Sequence, residues 1–289
     1  MKKIIPGLMA TLLFMLACGL NAPGNQPEPQ INVETAVVQT LQALTDSAPL
    51  EPAVTQAGGQ ITPDGEIVIS GGTSFLAPNG MTSGATATNT TEVEFPYVNP
   101  SNGDMPSHKK FILNNYPVQG TMFQPQVMVF KASEYAQYSE FTAKIIAYLQ
   151  AMQYTDGQPL PEDLPSGPVY NARIHALNFQ NGKGIRYLTQ FDQAFMPANN
   201  QEMFYYFHGI TSDGQYYVQA ILPIQVPFLA ADGNPDSPVP TDGVPLNLDD
   251  FNGYGNAITE KLNAADPFSF TPYLDHLDAM MESLLVNGL

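Results

Sequence analysis

The chain has 289 residues, with 27 acidic side chains against 10 basic ones and a formal net charge of −17. A surface of that sign repels the phosphates of nucleic acids, so nucleic acid is excluded as an expected partner. The sequence holds one cysteine. Because one cysteine cannot form a disulfide within the chain, packing alone must hold the fold together.

The first residues predict an export signal. Met1-Lys2-Lys3 is followed by an apolar run over residues 4–17. A short basic start and an apolar run that ends on a small residue are the parts of a secretory signal peptide. The run is shorter than the roughly 20 apolar residues that a membrane-spanning helix needs. Residues 1–17 are therefore predicted to be a signal peptide.

The segment Met15-Leu16-Ala17-Cys18-Gly19 resembles the lipobox of bacterial lipoproteins, with Met15 where leucine is usual. The resemblance implies that a diacylglyceryl group is joined to the sulfur of Cys18 and that the chain is cut just before it. Two or more acyl chains give a stable anchor. We therefore expect an extracytoplasmic lipoprotein, held in the cell membrane or the outer membrane through Cys18.

The region after the anchor has the composition of a linker. Residues 18–66 are rich in Pro, Gln, Thr, Ala and Gly and have few large apolar side chains, which predicts a flexible tether. A short helix is predicted inside it, from apolar residues at helical spacing over residues 33–44. Residues 67–289 are long enough to form one domain with its own core.

The first half of the domain is predicted to contain strands and one helix. The domain is expected to begin near residues 67–69, which residues 74–80 follow. Clusters of Pro, Asn and Gly then separate runs that read as strands at 92–95, 110–113 and 126–130. A helix is predicted over 139–153, because its apolar residues fall on one face and Ser139 is a favourable N-cap.

Two hairpins are the strongest structural signals in the chain. Strands at 172–179 and 185–191 flank Asn181-Gly182, a pair that favours a type I′ turn. Strands at 203–210 and 215–222 flank Asp213-Gly214 in the same way. The four strands form an antiparallel meander. The run 203–208 is apolar or aromatic at every position before His208, which predicts a central strand covered on both faces.

The remainder is predicted as an acidic, proline-rich loop at 223–250 and two helices, at 255–264 and 272–286. Thr271 caps the last helix and Pro272 takes its first position. The predicted fold class is therefore α+β: an antiparallel sheet, made of the two-hairpin meander plus N-terminal strands, packed against helices.

This order of elements resembles the Mog1/PsbP-like fold over residues 67–289. Extracytoplasmic lipoproteins of this kind often begin with a Phe-x-x-Pro strand, which Phe75-Leu76-Ala77-Pro78 matches, and end on a helix similar to residues 277–284. The chain lacks the tryptophan that commonly follows the first motif. The resemblance implies an accessory or binding protein without catalysis, and it supplies no active-site residue.

Catalytic motifs are missing from the sequence. No Gly-x-Ser-x-Gly occurs, and the four histidines show no zinc-ligand spacing; they are His108, His175, His208 and His276. We therefore expect no enzyme. An extracytoplasmic hydrolase whose site assembles only in three dimensions is the first alternative.

One acidic loop suggests calcium. Asp232, Asn234 and Asp236 place side-chain oxygens at alternate positions, as loops that bind hard cations do. Ser237 and Gly243 stand where an EF-hand requires Gly and Glu, so a solvated loop is the simpler interpretation. A calcium-stabilised structural or adhesion module is the second alternative.

Aromatic residues on the meander suggest a ligand face. Tyr205, Phe207 and Tyr217 could line it, although a sheet covered by helices also needs such residues for packing. A tyrosine hydroxyl needs water or a partner, which keeps the ligand-face interpretation open. The leading hypothesis is a non-catalytic, lipid-anchored domain that binds an unknown protein or small ligand outside the cytoplasm.

Overall fold

The computed structural model describes residues 64–92, 104–151, 167–192 and 194–289. The predicted signal peptide, the predicted lipidation site Cys18 and the helix predicted at 33–44 lie outside the described residues. So does most of the strand predicted at 92–95, of which only Glu92 is described, and it is not in a strand.

The described part of the chain contains ten strands and four α-helices. In chain order they are β1 (Gly65–Ser70), β2 (Thr73–Pro78), β3 (Ala85–Thr90), β4 (His108–Leu113), β5 (Gln126–Lys131), α1 (Ala132–Tyr138), α2 (Glu140–Ala151), β6 (Gly167–Phe179), β7 (Gly182–Asp192), β8 (Phe204–Thr211), β9 (Tyr216–Pro223), α3 (Phe251–Ala264), α4 (Leu274–Glu282) and β10 (Leu285–Val286). A short 3-10 helix, Pro267–Ser269, precedes α4.

The strands form two antiparallel sheets. The larger sheet has seven strands in the order β3-β4-β5-β9-β8-β7-β6, and the smaller has three in the order β1-β2-β10. The predicted meander is present, because β6, β7, β8 and β9 pair consecutively. The α+β fold class, with antiparallel sheets packed against helices, is confirmed.

Helices cover both faces of the larger sheet. Alternate residues of a strand point to opposite faces. Phe204 and Tyr206 accordingly pack in the apolar cluster that contains α1 and α2, whereas Tyr205 and Phe207 pack in the cluster that contains α3 and α4. All eight residues of β8 are buried. The prediction of a central strand covered on both faces is confirmed.

The first hairpin turn differs from the type I′ prediction. β6 ends at Phe179 and β7 begins at Gly182, so Gln180 and Asn181 form the turn, and neither has a positive φ. The Asn181 amide instead binds the backbone of Val286 near the C-terminus. Its Nδ2 donates to the Val286 carbonyl at 2.7 Å, and its Oδ1 accepts from the Val286 N–H at 3.0 Å. In the second hairpin Gly214 has a φ of 70°, as a turn at Asp213-Gly214 requires.

The last helix is shorter than the predicted 272–286. It begins at Leu274 with Tyr273 as N-cap, and it ends at Glu282. Thr271 does not cap it; its N–H donates to the Gln225 carbonyl at 2.9 Å. Beyond the helix, Leu285 and Val286 pair with β2. The sheet pairing and the Asn181 contacts hold this segment extended, so tertiary contacts override its helical pattern.

Candidate binding cleft between strand β6 and helix α3

A bulge interrupts β6, the edge strand of the larger sheet. Ala172 pairs with Leu188 and His175 with Arg186. Arg173 and Ile174 therefore lie together opposite one residue of β7. Arg173 has a φ of 55°, which lies in the left-handed backbone region that residues other than Gly, Asn and Asp seldom adopt. Bulges at sheet edges redirect side chains, and this one directs Arg173 towards helix α3.

Several contacts hold Arg173 in this conformation. Its backbone N–H donates to Asn263 Oδ1 at 2.6 Å, and its carbonyl accepts from the Arg186 guanidinium. Its Nε donates to the Leu262 carbonyl at 2.9 Å, and its Nη2 donates to the Ala265 carbonyl. These carbonyls lie in the last turn of α3 and at its C-cap, Ala265, where a cation is favourable. The Nη1 group makes no hydrogen bond with any described residue.

The redirected arginine lines a cavity of about 600 Å³. Its rim includes exposed residues, among them His175 and Asn263. The chain has only two arginines, and both line this cavity. The described residues that line it include no carboxylate; they are Asn171, Arg173, Ile174, His175, Arg186, Thr259 and Asn263.

The two arginines differ in how their charge is balanced. Arg186 forms a two-bond ion pair with Asp278, with Nε to Oδ1 at 2.9 Å and Nη2 to Oδ2 at 2.7 Å. Within the described residues, no carboxylate lies within ion-pair distance of Arg173. Partial burial, and then the charge of Arg186, lower the pKa of Arg173. Arg173 therefore carries the unbalanced positive charge of the cavity.

Asn171, which lines the same cavity, carries an unsatisfied acceptor. Its Oδ1 is buried and has no hydrogen-bond partner in the described part of the chain. A buried acceptor left without a donor costs about 1–3 kcal/mol, so such a group calls for an explanation. Two residues that line this cavity thus carry hydrogen-bonding groups without a described partner, Arg173 at Nη1 and Asn171 at Oδ1.

The residues predicted as a ligand face lie elsewhere. Tyr205, Phe207 and Tyr217 are each 0% exposed. The Tyr205 hydroxyl donates to Asp278 Oδ1 at 2.9 Å, and the Tyr217 hydroxyl lies 2.7 Å from His208 Nδ1. Burial raises the pKa of both hydroxyls. None of the three side chains presents a surface to solvent, so in this structure they serve as core residues.

The predicted calcium ligands bond within their own loop. Asp232 Oδ1 accepts from the Ser237 hydroxyl and from the Asn234 N–H at 3.0 Å, and these two hydrogen bonds lower the pKa of Asp232. Asn234 Oδ1 accepts from the Asp236 N–H at 3.1 Å. No group of three or more His, Cys, Asp or Glu side chains in the described residues is placed to hold a metal ion. Calcium binding stays a prediction.

The histidines are dispersed. His108 and His208 are buried, on β4 and β8, and His276 is half-buried on α4; His175 alone of the four lines the cavity. Sequence reasoning missed Asn171, Arg173 and Arg186 as cavity residues. A usable signal was present, because both arginines of an acidic chain fall on the two strands of one predicted hairpin.

No protein-family model matches this chain, and no curated protein matches it significantly. The lipobox resemblance and the Mog1/PsbP-like resemblance therefore remain predictions from the sequence. Among the helices of the described residues, none is both long enough and apolar enough to cross a membrane.

Proposed function

We propose that this chain is an extracytoplasmic lipoprotein, anchored through lipid on Cys18, whose domain binds a small ligand in the cavity between β6 and α3. It acts as a binding or accessory protein rather than as an enzyme. The observation that carries the proposal is the convergence of both arginines on one polar cavity in a chain of net charge −17.

The charge balance of the chain makes that convergence informative. Partly burying a cation without a carboxylate partner is unfavourable, and 27 acidic residues offer ample means of pairing it. Arg186 is paired in this way by Asp278, whereas Arg173 is held in place by backbone carbonyls that leave its charge unbalanced. A fixed, unpaired and half-buried guanidinium beside a cavity is the arrangement that a binding site needs.

Lipidation is tested by metabolic labelling. The full chain is produced in a bacterium fed an alkyne fatty acid, and the label on the purified protein is measured for wild type and for Cys18→Ser. We expect label on wild type and none on Cys18→Ser. Met15→Leu, which places the usual residue in the lipobox, is the matched control and should be labelled at least as strongly as wild type. Equal labelling of Cys18→Ser would refute the anchor.

Ligand binding is tested on the full chain in detergent by ligand-observed NMR. The panel holds amino acids, N-acyl amino acids, short carboxylates, sugars and nucleosides. We expect at least one class to bind and Arg173→Ala to weaken that binding. Lys261→Ala removes the same charge from α3 outside the cavity and should leave binding unchanged. Binding by none of the classes, or equal binding by Arg173→Ala, would refute the cavity as the site.

A further inference from the structure

We infer that the ligand of this cavity is a small monocarboxylate that also carries a hydrogen-bond donor, with its carboxylate on Arg173 and its donor on Asn171. The inference rests on the proposed binding function and deepens it, because it names the chemical class that the site selects.

Charge favours a monoanion over a dianion. The two-bond ion pair with Asp278 balances the charge of Arg186, so only the Arg173 guanidinium is left to balance the charge of a ligand. Asp278, Asp266 and Asp275 act on Arg173 through space. Asp278 is already bonded to Arg186, and Asp266 and Asp275 are exposed and therefore screened by water and salt. Together with the acidic surface they oppose a second negative charge, so phosphate, which is largely dianionic at pH 8, matches the site less well than a carboxylate at that pH.

The Arg173 guanidinium is positioned to meet a carboxylate before any ligand arrives. The carbonyls of Leu262 and Ala265 hold its Nε and Nη2, which leaves the Nη1 hydrogens for an acceptor. Hydrogen bonds between guanidinium and carboxylate are short and stronger than neutral ones. Because the side chain is already fixed, binding loses little rotamer entropy.

Asn171 supplies the second point of recognition. A rotation of its amide into the cavity that it already lines would bring the unmet Oδ1 to a ligand N–H or O–H. Ile174 gives the lining an apolar portion, and a volume of about 600 Å³ leaves room for more than a carboxylate group. A ligand with only a carboxylate would leave the Asn171 acceptor unsatisfied.

Three related probes separate these features. N-acetylglycine carries both a carboxylate and an amide donor, N-acetylglycinamide replaces the carboxylate with a neutral amide, and acetate carries the carboxylate alone. Inorganic phosphate and glucose serve as the dianionic and uncharged comparisons. Dissociation constants are measured at pH 8, where phosphate is largely dianionic, by NMR on the full chain in detergent. We expect N-acetylglycine to bind most tightly of the five.

Variants assign the two contacts. Arg173→Ala should weaken N-acetylglycine binding by about tenfold or more, the scale of a lost charge-assisted hydrogen bond. Arg173→Lys preserves the charge and tests whether the guanidinium itself is needed, with an intermediate loss expected. Asn171→Asp is nearly isosteric and should weaken N-acetylglycine strongly, because it places a second negative charge beside the carboxylate. Lys261→Ala should bind as wild type does.

The outcomes distinguish the inference from the proposed function. If N-acetylglycinamide, glucose or phosphate binds as tightly as N-acetylglycine, and Arg173→Ala weakens that binding, the cavity is a binding site and the monocarboxylate inference is wrong. If acetate binds as tightly as N-acetylglycine, the inferred hydrogen bond from the ligand's donor to Asn171 Oδ1 is wrong. If neither these probes nor the wider panel bind, the proposed function fails as well.

Discussion

Arg186 on β7 and Asp278 on α4 form a two-bond ion pair between residues that are 92 positions apart in the chain. Both side chains are mostly buried, at 8% and 17% exposure. Tyr205 on β8 donates a third hydrogen bond to the same carboxylate. The pair therefore fixes helix α4 to the central strands and, at the same time, shapes one wall of the cavity.

Breaking this pair from one side should be strongly destabilising. Asp278→Ala leaves the Arg186 guanidinium buried without its counter-charge, and removal of one partner of a buried pair costs about 3–5 kcal/mol. We expect urea unfolding of the full chain in detergent to show a loss on that scale.

Two controls separate the effect of breaking a buried ion pair from the effect of breaking an exposed one and from the effect of losing side-chain contacts. Lys144 and Glu140 form an exposed i,i+4 pair at 3.3 Å, so Glu140→Gln should change the free energy of unfolding by less than about 0.5 kcal/mol. The double variant Arg186→Met with Asp278→Leu should be more stable than Asp278→Ala, because it leaves no unpaired charge. A double variant as unstable as the single one would contradict this account.

Asn181→Ala should loosen the C-terminal strand. The Asn181 amide meets both the carbonyl and the N–H of Val286, and Val286 is 1% exposed. Removal of the Asn181 amide leaves the buried N–H and carbonyl of Val286 without these hydrogen-bond partners, at a cost of about 1–3 kcal/mol. Hydrogen exchange at the Val286 amide should become faster. Asn178→Ala, an exposed asparagine on the same hairpin, is the control and should leave that exchange rate unchanged.

The sequence predicted those elements whose signal is local. The two hairpins carry turn residues between alternating or apolar runs, and the helix at 139–153 has one apolar face; all three are present with small shifts of boundary. Helix α3 begins at Phe251 rather than at the predicted 255, because Asp250 Oδ1 accepts from the Gly253 N–H at 2.9 Å and caps an earlier turn.

The elements that escaped prediction depend on distant contacts or weak composition. β3 reads Ala-Thr-Ala-Thr-Asn-Thr and has no large apolar residue to show the strand period. α1 follows β5 directly, and its N-cap Lys131 makes no side-chain capping bond. β10 has two residues and exists through its pairing with β2.

The cavity escaped prediction for a similar reason. Its shape depends on a register shift within β6 and on a positive φ at Arg173. Neither feature has a sequence signature, because an arginine in a strand pattern is expected to adopt ordinary extended geometry.

Gly72→Ala should destabilise the smaller sheet. A Cβ at Gly72 would lie 2.4 Å from the Gly288 nitrogen, so the backbone of one segment must move. Overpacking of this kind costs about 1–3 kcal/mol. Gly167→Ala is the matched control, because a Cβ there meets no atom of the described residues within 4 Å, and it should be neutral or slightly stabilising. Equal unfolding midpoints in urea for the two variants would show that the C-terminal segment around Gly288 moves aside without strain, which would contradict the prediction.

Acid should destabilise the protein through His208. Its ring nitrogens lie 2.7 Å and 3.3 Å from the hydroxyls of Tyr217 and Tyr187. Burial lowers the pKa of His208 to about 3, whereas an unfolded histidine titrates near 6.5. Between those values the unfolded state binds a proton that the native state does not. This contribution to stability is therefore intact above about pH 6.5 and is lost progressively as the pH falls towards 3, by at most about 1.4 kcal/mol per pH unit.

The comparison of wild type with His208→Gln isolates that effect. Glutamine can hydrogen bond to a neighbouring hydroxyl and does not titrate, so the fall in unfolding free energy between pH 6.5 and 4 should be shallower in the variant. Asp192 and Glu202 have pKa values raised chiefly by burial. They act in the opposite direction, because the native state then binds protons more readily than the unfolded state does. Both proteins carry these carboxylates, so their contribution cancels in the difference, and a native His208 ring that titrates near pH 6.5 by NMR would rule the account out.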